Sequence, residues 1–198
     1  MRHTLLALGL LLASGLASAA LEVTDDLGQN IRLAQPARRI VSLAPHVTEL
    51  LYAAGAGDKV VGVVQYSDYP EAARKVARVG GYTSVDMEKV VALKPDLVVA
   101  WKSGNRDAHL DKLRGLGIPV FINEPRKIED VARSLSQLGR LAGTETVADG
   151  AARAFRERHA ALQAKYASRP RVRTFYEIWN RPLMTINGEH LISDVIRL

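Results

Sequence analysis

Short apolar runs alternate with amphipathic stretches through most of this chain. Arg39–Leu43 (RIVSL), Val60–Val64 (VVGVV), Asp96–Ala100 (DLVVA) and Ile118–Ile122 read as strands, continuously apolar as when both faces of a sheet are covered. Arg78–Gly80 reads as a further, shorter strand. Between them, Pro45–Ala54, Asp86–Leu93, Arg106–Arg114 and Ile128–Leu141 read as helices. Each carries its own punctuation. Pro45 suits a first helical turn, and Gly55 and Gly57 end that helix. Asp86 is a capping residue, with Glu88 placed where the helix dipole favours negative charge. Ile128, Val131, Leu135 and Leu138 form a stripe at three- and four-residue spacing. At the front, D-D-L-G-Q-N interrupts two short alternating segments over Glu22–Leu33, the pattern of a hairpin. Repeated βα units predict an α/β fold with a mostly parallel, doubly wound, Rossmann-like sheet.

From Thr146 to Ser168 the pattern changes to one helix rich in alanine and arginine. Its length predicts a span of about 33 Å, long for packing within one small domain. Arg169-Pro170 ends it, Arg173–Ile178 (RTFYEI) reads as a new strand, Trp179–Pro182 as a loop, and Asp194 begins or continues another helix. The chain therefore divides into an N-terminal α/β lobe over 20–145, a connecting helix over 146–168, and the start of a second α/β lobe over 169–198. The pattern stops at Leu198 in mid-course, so that second lobe is expected to be incomplete.

The first nineteen residues have a separate logic. Met1-Arg2-His3 is a positive leader, Leu5–Leu12 an apolar core, and Ala17-Ser18-Ala19 a small-residue cleavage site. That apolar stretch is too short for a spanning helix, so residues 1–19 read as a signal peptide cut after Ala19. With no cysteine, the chain has neither a disulfide framework nor a lipid-anchoring residue at the cleavage site. A soluble protein of the periplasm is expected. The formal charge of +6 is interspersed rather than clustered, and the densest run, Arg153 to Arg173, has the look of a solvated helix face. Nucleic acid is not an expected partner, and a monomer is.

Candidate chemistry lies in the aromatics. The chain has two Trp, six Tyr and three Phe, and Tyr66, Tyr82 and Trp101 each follow the carboxyl end of a predicted strand. Ligands of open α/β sheets bind in the crevice outside those ends, so these residues predict a rim that holds a large flat ligand. Asn105, near Trp101, is a candidate polar contact. Tyr69 beside Pro70 reads as structural, as do Tyr52, Phe121, Phe155 and Phe175 inside regular elements. Asp68 and Glu71 read as caps of the following helix. His46, at a strand-to-helix corner, reads as capping or solvated, although a haem ligand there is conceivable. Histidine spacing suggests no metal site, and there is no G-x-S-x-G, G-x-G-x-x-G or P-loop sequence. No catalytic residue and no cofactor are expected.

R-I-V-S-L-A-P (39–45) with T-E-L (48–50), Y-S-D-Y-P (66–70), L-K-P-D-L-V-V-A-W (93–101), and P-L-M-T (182–185) followed by Gly188 resemble the solute-binding proteins of ABC importers for cobalamin, haem and ferric siderophores. Y-S-D-Y-P, A-L-K-P-D-L-V-V-A-W and Gly104-Asn105 are most similar to the branch that carries cobalamin. The resemblance implies a class III periplasmic binding protein: two α/β lobes joined by one rigid helix, with the ligand clamped between them and passed to a membrane permease. It implies a cargo rather than a cofactor, a corrinoid, in contact with Tyr66, Tyr82, Trp101 and, in the second lobe, Trp179. Tyr82 stands where that branch commonly has tryptophan. Glu88 falls on the helix that carries a permease-docking glutamate in this family. Haem or a ferric siderophore is the alternative cargo. A Rossmann-like enzyme is the alternative from another class, and a half-cleft that has lost function is a third.

Overall fold

The computed structural model describes residues 20–81 and 83–198; the expected signal peptide and Tyr82 lie outside them. The chain opens with an antiparallel hairpin, β1 (Leu21–Thr24) and β2 (Asn30–Leu33). Its turn is built by Asp25, whose Oδ1 accepts hydrogen bonds from the backbone N–H of Leu27 (2.9 Å) and Gln29 (2.8 Å).

Alternating units follow: β3 (Ile40–Ser42), α1 (Pro45–Ala53), β4 (Val60–Val63), β5 (Ala77–Arg78), α2 (Met87–Ala92), β6 (Leu97–Ala100), α3 (Asp107–Gly115), β7 (Val120–Ile122), α4 (Ile128–Ala142) and α5 (Glu145–Tyr166). The five strands from β3 to β7 form a parallel sheet in the order β5-β4-β3-β6-β7. β3 pairs with β4 on one side and β6 on the other, so the winding reverses beside it. That makes the carboxyl ends of β3 and β6 the topological switch point.

Side chains alternate along each strand, and both faces are covered. Ile40, Leu97, Val99 and Phe121 enter a core shared with α1, α4 and α5; Val41, Val98, Val120 and Ile122 enter a second core with α2 and α3. α4 and α5 approach closely at Gly139, where an added Cβ would lie 2.2 Å from that of Ala148. Asp86 caps α2, accepting from Lys89 N–H at 3.1 Å.

The remaining elements are small: β8 (Trp179–Asn180) and β9 (Leu183–Met184), an antiparallel pair, and α6 (Leu191–Ile196). Here the sequence expectation needs correction. Arg173–Ile178 is not a strand, because no neighbouring strand pairs with it among the described residues. The short hairpin lies instead across Trp179–Met184, the region read as a loop. Asp68 and Glu71 are not caps either. The 3-10 turn Glu71–Lys75 has no side-chain cap, and Asp68 pairs with Arg78 at 3.1 Å.

A candidate binding cleft at the switch point

Three loops meet above the sheet, each fixed by buried polar contacts. The first, after β3, carries His46 on the opening turn of α1. It is held by hydroxyls: Ser42 Oγ and Thr48 Oγ1 are 2.8 Å apart, and Thr48 Oγ1 donates to Ser67 Oγ at 3.1 Å. Ser67 belongs to the second loop, after β4, so this chain of hydroxyls joins the two. In that second loop Tyr66 adopts φ 66° and is 75% exposed. A bulky residue in the left-handed region is strained by roughly 1–2 kcal/mol. The surroundings hold it there: Arg78 Nη1 donates to the carbonyls of Val64 (3.1 Å) and Ser67 (3.0 Å), on either side of the turn.

The third loop follows β6 and carries Trp101. Asn105 Oδ1 accepts from Trp101 N–H at 2.8 Å, and Asn105 Nδ2 donates to the carbonyl of Leu43 at 3.0 Å. Glu124, just past β7, accepts from Ser103 N–H (2.9 Å) and Ser103 Oγ (2.5 Å). Glu124 is in turn positioned by the first hairpin, its N–H donating to Asp26 Oδ2 at 2.6 Å. The β1–β2 turn therefore supports the loop that carries Trp101 from a long way along the sequence.

Above these loops lies a cavity of about 760 Å³, lined by His46, Glu49, Tyr69, Trp101 and Glu124 together with apolar side chains of α1, α4 and α5, Asn187 and residues 189–192. The imidazole of His46 meets the Trp101 indole edge to face, with centroids 5.4 Å apart and planes at 86°. Burial lowers the His46 pKa below 6.5, against the raising influence of nearby Glu124 and Asn123. The ring is accordingly neutral near pH 7, and its Nε2 has no hydrogen-bond partner.

Of the residues named from sequence, Trp101 lines this cavity and Tyr66 stands exposed on the adjoining loop. Asn105 is buried, its amide binds the backbone of Trp101 and Leu43, and it is not among the residues lining this cavity. Trp179 is 59% exposed, donates to the Arg181 carbonyl at 2.9 Å and is not a lining residue. Glu88 is exposed in the first turn of α2. Three residues read too blandly line the cavity, Phe155 on α5 among them. Tyr69 is 69% exposed and lines the cavity rather than packing internally, and His46 is neither a cap nor solvated. The available signal was position, since His46 follows the carboxyl end of β3, the strand at the switch. Among the described residues no cluster of three or more His, Asp or Glu is placed to hold a metal. No helix among them is long and apolar enough to cross a membrane.

The family described as periplasmic binding protein matches residues 40–198. A vitamin B12-binding protein of Vibrio parahaemolyticus is 40% identical over 161 residues, covering 81% of this chain and 58% of the relative. The crystal structure of the periplasmic vitamin B12 binding protein BtuF of Vibrio cholerae aligns with a TM-score of 0.77 at 41% identity, covering 81% of this chain and 63% of that one. A periplasmic heme binding protein from Pseudomonas aeruginosa aligns with a TM-score of 0.60 at 28% identity, over 68% of this chain and 50% of that one. The chain thus spans less than two thirds of the length of these proteins, all of them named for binding and not for catalysis. On the extent of the family match and the doubly wound sheet together, the chain belongs to the periplasmic binding protein family.

Proposed function

We propose that this chain captures a corrinoid in the periplasm, after export by its leader 1–19, and presents it to the permease of an ABC importer. The observation that carries the reading is the aromatic wall at the switch point. Trp101 and Tyr69 line a cavity of about 760 Å³, with Tyr66 held exposed beside it. Such side chains offer a flat corrin ring large, rigid contact area at small entropic cost. The relatives named for vitamin B12 support the cargo. Tyr82 is proposed as a further aromatic contact on the resemblance alone, and Trp179 as one from the partner surface beyond the helix at 146–168. Residues 20–145 form one lobe of the clamp and 169–198 the opening of the second. Glu88, exposed on α2, is the docking carboxylate toward the permease. The protein acts as a monomer.

Haem is the second reading, favoured by one observation: His46 Nε2 is unpartnered on a residue that lines the cavity. Calorimetric titration with cyanocobalamin and with hemin separates the two. One-to-one binding of cyanocobalamin, weakened at least about tenfold (1.4 kcal/mol) in Trp101→Ala, is the expected result. Hemin binding with a shifted Soret band, abolished in His46→Ala, replaces the cargo and keeps the fold. Failure of both ligands overturns the proposal.

A further inference from the structure

Gly104 has no backbone reason to be glycine. It is not among the glycines with positive φ, so an alanine would accept its main-chain conformation. What forbids a side chain is the indole. A Cβ built on Gly104 would fall 2.0 Å from Trp101 Cε3 and 2.4 Å from Cζ3, with Cδ2 at 2.9 Å. The glycine backbone therefore lies directly against the benzo portion of the ring. A second neighbour is His46, whose imidazole stands at 86° to the indole.

Both neighbours are themselves anchored. Gly104 N–H donates to the Trp101 carbonyl at 3.2 Å, and Asn105 N–H does so at 2.8 Å, closing the loop on the residue it carries. Ser103 is tied to Glu124. His46 sits on α1, which Thr48 bonds to β3 through Ser42.

We infer that Gly104 and His46 are positioning residues, which fix the Trp101 indole in its binding orientation before any ligand arrives. The inference rests on reading Trp101 as a ligand contact and adds how that contact is set. Holding the ring in advance removes an ordering cost from binding, so affinity depends on residues that need not touch the ligand.

The test uses the mature chain in a Trp179→Phe background, so that Trp101 is the sole tryptophan. Gly104→Ala is expected to change the near-ultraviolet circular dichroism of Trp101 and to weaken cyanocobalamin binding about tenfold, with the far-ultraviolet spectrum unchanged. In a Trp101→Ala background the same glycine substitution should change affinity less than about twofold, since nothing is left to position. His46→Gln, which keeps a polar side chain and loses the ring, should reproduce the spectral change with a smaller loss. An equal affinity loss in both backgrounds overturns the inference, as does an unchanged Trp101 spectrum in both variants. If the parent protein binds no cyanocobalamin, the proposed cargo fails while the ligand-free spectra still decide whether these two residues set the ring.

Discussion

Phe121 and Phe175 are the same side chain in two settings. Phe121, on β7, is fully buried in the core that α1, α4 and α5 share with the sheet; Phe175, past the long helix, is 67% exposed. The difference lies in neighbours, not in composition. Val172, Phe175, Ile178, Leu183 and Met184 are as apolar as the residues of β6, yet every residue from 160 to 185 is exposed. A strand in a parallel sheet exists only through its partners, because its hydrogen bonds all run to other strands. β6 has β3 and β7 beside it, whereas Arg173–Ile178 has no paired strand among the described residues.

The sharpest way to break this comparison is to delete both phenylalanines. Phe121→Ala should cost about 3–5 kcal/mol through lost burial and the cavity it leaves. Phe175→Ala should stay within about 0.5 kcal/mol. Urea unfolding of the two variants measures both. Comparable losses would mean that the segment after α5 is packed in solution, contrary to the exposure described.

How far the sequence could be read follows the same division. β4 and β6 announce themselves as apolar runs, and α4 as an amphipathic stripe, because those signals are local. Arg173–Ile178 has a strand's composition, but the deciding term is a neighbour that composition does not encode. The site divides similarly. The position of Trp101 on the cavity wall is legible because a large aromatic after a strand end lies where crevices form. Proximity to Trp101 makes Asn105 a candidate contact in the sequence, but its bond to the Leu43 carbonyl, sixty-two residues away, is a link proximity does not report. The role of Glu124 depends on a contact with Ser103 and on support from Asp26, ninety-eight residues earlier. No local pattern reports such links.

Asp26 sharpens the comparison within the N-terminal lobe. Its side chain is 3% exposed and accepts from Glu124 N–H, from Asn123 Nδ2 at 3.3 Å and from Arg133 Nη2 at 3.0 Å. Asp26→Ala should cost about 2 kcal/mol, since several donors lose a charged acceptor together. It should also loosen the Trp101 loop through Glu124, seen as faster amide exchange at Ser103. A stability loss that leaves Ser103 exchange unchanged would disconnect the hairpin from the site.

Tyr66 tests whether strain marks function. Tyr66→Gly removes the left-handed penalty and should raise stability by up to about 1 kcal/mol, while weakening cyanocobalamin binding. Opposite signs in unfolding midpoint and affinity are the expected signature. A rise in both would make Tyr66 a turn residue and nothing more.

The smallest effect concerns His46, whose titrating ring packs against Trp101. Burial depresses its folded pKa below 6.5, opposed by nearby Glu124 and Asn123; Glu49 also lines the cavity. The unfolded chain therefore takes up this proton first as pH falls, which favours unfolding. The stabilising contribution of the neutral ring is complete above 6.5, declines as pH falls below that value, and is lost once pH passes through the depressed folded pKa. His46→Gln should flatten that part of the stability profile, measured as urea midpoints on either side of 6.5. Parallel profiles for the two proteins would mean that the imidazole is solvated rather than held against the indole, and His46 would then drop out as a positioning residue while the Gly104 contact remained.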